Sequence, residues 1–193
     1  MEPRIPGFRG EYLWELDIAR IQLLDLAAAV PEEAYGWRPV EGTRPFSAVL
    51  VHIAAGNMAL LHVAGRPLPG GVDLYGPLQG DALAELREMI RTNVSLERTL
   101  TEKQPVIDLL RRSFEAVQQS FTASSVEDLE KVGRFFGEQT TVRRVYLRIL
   151  AHTHEHMGQA IAYARSNGVK LPWPDPLKEM DRILADARPS GDG

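Results

Sequence analysis

Three of the chain's five histidines fall at alternate positions within LAHTHEHMGQ, residues 150–159. Neutral imidazole is the commonest protein ligand for transition metals, so such a run raises metal chemistry first. The chain contains no cysteine, which excludes disulfides, thiolate metal sites, iron–sulfur clusters and a cysteine nucleophile. Any ion must therefore be held by nitrogen and oxygen.

Helical geometry sorts the run. At about 100° per residue, His152 and His156 lie within about 40° of each other, one turn apart, whereas His154 is rotated by about 200° and points outward. Two imidazoles at i and i+4 can converge on one ion, and a third ligand has to come from another segment. His52 is the candidate, beside Val49 and Ile53 in an apolar helical stretch whose inward side chains a bundle would bring to the same centre. Three neutral nitrogens leave coordination positions open, the mark of a catalytic rather than a structural site. The competing reading is that these are core histidines hydrogen-bonded to neighbours, with His52 unrelated.

The remaining polar groups are assigned by angle. His62 lies about 80° around the helix from His52 and reads as a rim residue. Glu155, about −60° from His152, is the one catalytic candidate, placed to orient a ligand or shuttle a proton, or else to face a neighbouring helix. Asn57, Gln159 and Tyr163 could line the site or serve packing. His152-x-x-Glu155-His156 also matches the H-x-x-E-H string of inverted zinc metalloproteases. Those enzymes need a further acidic ligand well downstream, and the segment after His156 is short and rich in proline.

These side chains need helices to carry them. Three-and-four spacing of Leu13, Leu16, Leu23, Leu24 and Ala27 predicts a first helix over 11–30, stopped by Pro31. Ser47 can cap a second over 48–64, with Val49, His52, Ile53, Gly56 and Leu60 in its stripe. Residues 65–81 hold five glycines and three prolines and predict a long irregular connection. Asp81 then caps an accessory helix toward Leu100, with Leu83, Leu86, Ile90 and Val94 along one side. Pro105 opens the third main helix, with Val106, Leu109, Leu110, Phe114, Val117 and Phe121 on its apolar face. The fourth spans 141–166 and ends where Gly168 can turn left-handed. Its stripe is Val142, Val145, Ile149, His152, His156, Ala160 and Tyr163. Prolines 172, 174 and 176 keep the following segment extended, and a short helix over 177–187 closes the chain. No strand is expected. The fold class is all-α, a four-helix bundle in a single domain with core 11–173 and tail 174–193.

Composition narrows the partners. Formal net charge is −4 over 193 residues, with 44% hydrophobic and 25% charged, which describes a soluble globular chain without the basic field that attracts a polyanion. Arg111-Arg112 and Arg143-Arg144 read as solvated helix faces. The N-terminus lacks the apolar core of a secretory signal, and no uninterrupted apolar run approaches the roughly 18 to 20 residues that span a bilayer. A cytoplasmic location, with neither nucleic-acid nor membrane partners, is the expectation.

YGWRP (35–39), FSAVLVHIAAGN (46–57), LLRRSF (109–114) and HTHEHMGQAIAYARSNGVKLPW (152–173) together resemble the DinB/YfiT-like superfamily. The last segment is the most specific, above all His156 followed by Met-Gly-Gln, and the resemblance runs from about Leu16 to Trp173. It implies a four-helix bundle with a divalent metal, commonly nickel or zinc, held by one histidine of the second helix and two of the fourth. Carried onto this chain, those are His52, His152 and His156, the three that helical geometry selects.

The resemblance also implies thiol-dependent transferases and isomerases among its characterised members. A metal-dependent enzyme is therefore expected, either an S-transferase or a hydrolase, in which the ion activates a low-molecular-weight thiol or water toward a small-molecule substrate. The alternative is a non-catalytic bundle that binds a metal or small ligand, or acts as an interaction scaffold. Bundle faces rich in Leu and Phe also admit a homodimer.

Overall fold

The computed structural model describes residues 7–66, 68, 74–75, 78, 81–135, 138–174 and 180. Among them are six helices and one short hairpin: α1 (Phe8–Ala29), α2 (Phe46–Val63), α3 (Ala82–Thr99), α4 (Lys103–Ala123), α5 (Val126–Glu130), β1 (Val132–Phe135), β2 (Glu138–Thr141) and α6 (Val142–Ser166). The four helices α1, α2, α4 and α6 form the bundle. Each of α1 and α2 packs on both α4 and α6, so α1 and α2 stand on opposite corners.

Local chemistry explains where the elements begin and end. α1 stops at Val30, because the residue before a proline is pushed out of the helical region, and Val30 is extended at ψ 126°. The connection to α2 is pinned at both levels: Phe46 N–H donates to Trp37 O, Ser47 N–H donates to Tyr35 O, and the buried Tyr35 hydroxyl reaches back to Ala27 O at 2.7 Å. Ser47 is not the cap of α2. Pro45 holds that position, and Ser47 lies within the first turn with its Oγ buried and without a hydrogen-bond partner. A proline with fixed φ already presets the helix entry, so the side-chain cap is dispensable there.

α2 carries the core. Val49, Leu50, Ile53, Ala54, Met58 and Leu61 are fully buried, along with the polar Ser47 and Asn57. Over 18 residues its mean hydropathy reaches 1.6, enough by length and composition to cross a membrane. The sequence reading saw no such run because Ser47, His52, Asn57 and His62 interrupt it; here 67% of the segment is buried inside the bundle. Its burial follows from having α4 and α6 on two sides and α3 on a third.

α3 begins as expected, with the Asp81 carboxylate accepting from Leu83 N–H and Ala84 N–H. Its inward face differs from the expected one. Met89 is its buried residue and Leu96 packs on the core, whereas Leu83 and Ile90 are more than half exposed. Among the described helices it packs chiefly on α2, with Arg44 on Glu97 and the Tyr75 hydroxyl on Asn93 as further ties, so only a narrow stripe is covered.

The hairpin corrects the expectation of no strand. β1 and β2 pair antiparallel, with Val132 opposite Thr141 and Phe135 opposite Glu138. Four-residue strands are too short to show the alternation that marks a strand in sequence. The hairpin feeds α6 directly: Thr141 ends β2 and also caps α6, its Oγ1 accepting from Arg144 N–H. At the far end, Gly168 takes φ 71° and the chain closes with Val169 N–H on Ala164 O. Pro172 and Pro174 follow outside any helix. The short helix expected over 177–187 lies outside the described residues except for Met180, which is helical.

Candidate metal centre

Three imidazoles meet between α2 and α6. One nitrogen from each of His52, His152 and His156 can be chosen so that all lie within 4.8 Å of one another. His52 Nε2 and His152 Nε2 are 3.1 Å apart. Tetrahedral nitrogen ligands at about 2.0–2.1 Å from an ion sit only slightly further apart than this, so the spacing fits a shared ion. The ring centroids form a near-equilateral set at 4.9, 4.5 and 4.6 Å.

The helices position these rings by different means. His152 and His156 are one turn apart on α6, with buried Thr153 and Met157 beside them on the core side. The ligand pair thus lies at the edge of the buried stripe rather than at its centre, and all three histidines remain partly exposed. His152 approaches α2 at Gly56. A Cβ there would stand 2.5 Å from His152 Cε1 and 3.0 Å from its Nδ1. Only a residue without a side chain leaves room for this ring.

Hydrogen bonds fix two of the three rings. His52 Nδ1 lies 2.7 Å from Glu97 Oε1, and because the carboxylate can only accept, the proton sits on Nδ1 and the Nε2 lone pair faces the cluster. His156 Nδ1 lies 3.0 Å from Gln159 Oε1, and Gln159 Nε2 donates in turn to Tyr163 OH. Tyr163 is braced edge-on by Trp37 at 5.4 Å. His152 Nδ1 is buried and has no hydrogen-bond partner among the described residues.

Burial disfavours the charged form of the two α6 rings. Burial, with the neighbouring imidazoles and Arg148 adding to it, pushes His152 down to about 3. His156 is also lowered, mainly by burial. For Glu97, burial works against the charge, but the hydrogen bonds to His52 and Arg44 and the Arg44 charge outweigh it and keep the carboxyl below its ordinary value. Neutral imidazoles are the form that ligates metals, so His152 and His156 can meet an ion without first shedding protons.

The other candidates fall elsewhere. Glu155 is exposed and forms a two-pronged pair with Arg148 at 3.0 and 2.7 Å, one helical face away from any bond to the imidazoles. His154 is exposed, with Nδ1 2.9 Å from Leu150 O. His62 stacks edge-on with Tyr75. Asn57 turns into the core, where it bonds Ser113 and Thr153 and joins α2 to α4 and α6. Two residues of the site escaped the sequence reading, Glu97 and Arg44. Glu97 stands 45 residues from His52 across a glycine- and proline-rich connection, so no local pattern linked them.

Residues 15–160 match the sequence profile of the DinB superfamily, and the chain belongs to that superfamily. The fold is similar to the crystal structure of a DinB-like protein from Bacillus cereus ATCC 10987, at a TM-score of 0.65 and 16% identity, over 85% of this chain and 95% of that one. No curated protein matches the chain. A DinB-like helical bundle with a three-histidine cluster able to hold a metal ion is thus established, and it agrees with the expected fold.

Proposed function

We propose that His52, His152 and His156 hold a divalent ion, nickel or zinc, and that the protein is a metal-dependent enzyme, an S-transferase or a hydrolase. The supporting observation is the convergence of three imidazoles, two of them hydrogen-bonded through Nδ1, on one point. Bound there, the ion would lower the pKa of a thiol or water and so provide a nucleophile near neutral pH. Imidazole accepts several first-row metals, and nickel and zinc fit both the nitrogen donor set and the family.

The chain's own residues do the rest. Glu97 and Gln159 fix ring orientation, Gly56 admits the His152 ring, and burial keeps His152 and His156 unprotonated. A small electrophile, with a low-molecular-weight thiol as co-substrate, is the proposed substrate class. The setting is cytoplasmic, without nucleic-acid or membrane partners and compatible with a homodimer.

A second reading, a non-catalytic metal- or ligand-binding bundle, draws on one observation. The two carboxylates acting on the cluster, Glu97 and Glu155, are each engaged by an arginine, which leaves neither uncommitted as a general base. Elemental analysis of untagged protein, beside His52→Ala and His156→Ala, tests the site; stoichiometric metal retained by both variants would sink it. Metal-dependent turnover of a thiol with a panel of electrophiles separates the readings, and a loaded but inert protein favours the second.

A further inference from the structure

Glu97 is the most deeply buried carboxylate in contact with the cluster, with its side chain only 10% exposed. A carboxylate at that depth is costly unless its charge is met. Here both oxygens are spoken for: Oε2 accepts from Arg44 Nε at 2.6 Å, and Oε1 accepts from His52 Nδ1 at 2.7 Å, with Arg44 Nη2 at 3.4 Å from the same Oε1. Three separate segments are thereby chained: the connection before α2 through Arg44, α3 through Glu97 and α2 through His52. Had the fold needed only to dock α3 on α2, apolar contacts such as Leu96 and Met89 would do so at less cost.

We infer that Glu97 is a positioning residue for the metal ligand His52, that it acts by accepting a hydrogen bond from Nδ1–H and so making Nε2 a stronger donor, and that Arg44 anchors it. This rests on the metal-binding reading above. α3 then contributes to the site without reaching it, and what sequence presents as an accessory helix between the second and third bundle helices carries half of a carboxylate–imidazole pair. Partners of this kind tune metal affinity by about 10- to 100-fold when removed. The carboxylate charge matters as well as the hydrogen bond, because a charged acceptor holds the imidazole N–H more strongly than a neutral amide.

The test uses full-length protein stripped of metal and titrated with Zn2+ and Co2+ alone against a chelator, for wild type, Glu97→Gln and Glu97→Ala. Glu97→Gln keeps size and an acceptor oxygen, so its affinity is expected to fall about 10-fold, with Glu97→Ala falling further toward 100-fold. The visible absorption of the Co2+ form is expected to shift in both, because the ligand field at His52 changes. Thermal melts of the metal-free variants separate this from docking of α3: a residue that only docks the helix lowers the melting temperature and leaves affinity and spectrum at wild-type values. That last result overturns the inference while leaving the site intact. A wild type that takes up neither ion defeats the metal reading itself, and the inference with it.

Discussion

Gly56 and His152 show how much one missing side chain can decide. Alanine at 56 should favour the helix by up to about 1 kcal/mol over glycine, yet its Cβ would collide with the His152 ring. The expected outcome of Gly56→Ala is a metal-free stability within about 1 kcal/mol of wild type by urea titration, coupled to at least a tenfold loss of metal affinity. His152 also predicts a pH effect. Its pKa is depressed in the folded chain, so the unfolded chain binds the extra proton first, and folding stability is lost as pH falls from about 6.5 toward 3. Urea midpoints of metal-free protein should decline across that window, and His152→Gln should flatten the slope. Sequence alone yielded His52, His152 and His156 because helical angle is a local property that three-and-four spacing reports. Gly56 stood in the same stripe, and a glycine inside a helix was the available signal for a close approach. Glu97 and Arg44 left no such trace, since tertiary packing alone brings them to His52.

At the scale of elements, α3 is the informative one. Its start was legible from Asp81, whose carboxylate satisfies two otherwise unpaired amides. Its buried face was not, because Leu83 and Ile90 sit on the exposed side of a helix packed chiefly on α2. A helix so lightly attached should open on its own. Asp81→Ala, costing about 1 kcal/mol at the cap, is expected to speed hydrogen exchange across Ala82–Thr99 while amides of α1, α4 and α6 keep their protection. Uniform acceleration across all helices would instead mean that α3 unfolds only with the bundle. The β1–β2 hairpin went unseen for a different reason: it is short, partly exposed and serves mainly to redirect the chain from α5 into α6.

The whole molecule depends on α2, which touches three helices and supplies both His52 of the three-histidine cluster and the buried Asn57. Asn57 is bonded to Ser113 on α4 and Thr153 on α6, one residue beyond His152. Replacing it with alanine takes away the acceptor of the Thr153 hydroxyl and the donor to Ser113 Oγ, which keeps its own bond to Leu110 O, and the expected loss is about 1–3 kcal/mol of unfolding free energy by urea titration. The larger architecture was readable because four long apolar stripes and the turns between them leave few arrangements other than a bundle. Their pairing, with α1 opposite α2, was beyond reach because stripes report that a face is covered and not by what.

His52 and His152 are 100 residues apart, and both nitrogens that face each other come from helices made at different times during synthesis. Chain growing from the ribosome presents His52, and then Glu97, long before α6 exists. An emerging chain therefore carries one of the three imidazoles, and it acquires the other two only with the last bundle helix. Any ion that needs all three imidazoles would thus be taken up only by a finished bundle, since a chain cut short before Val142 has a single histidine of the three to offer.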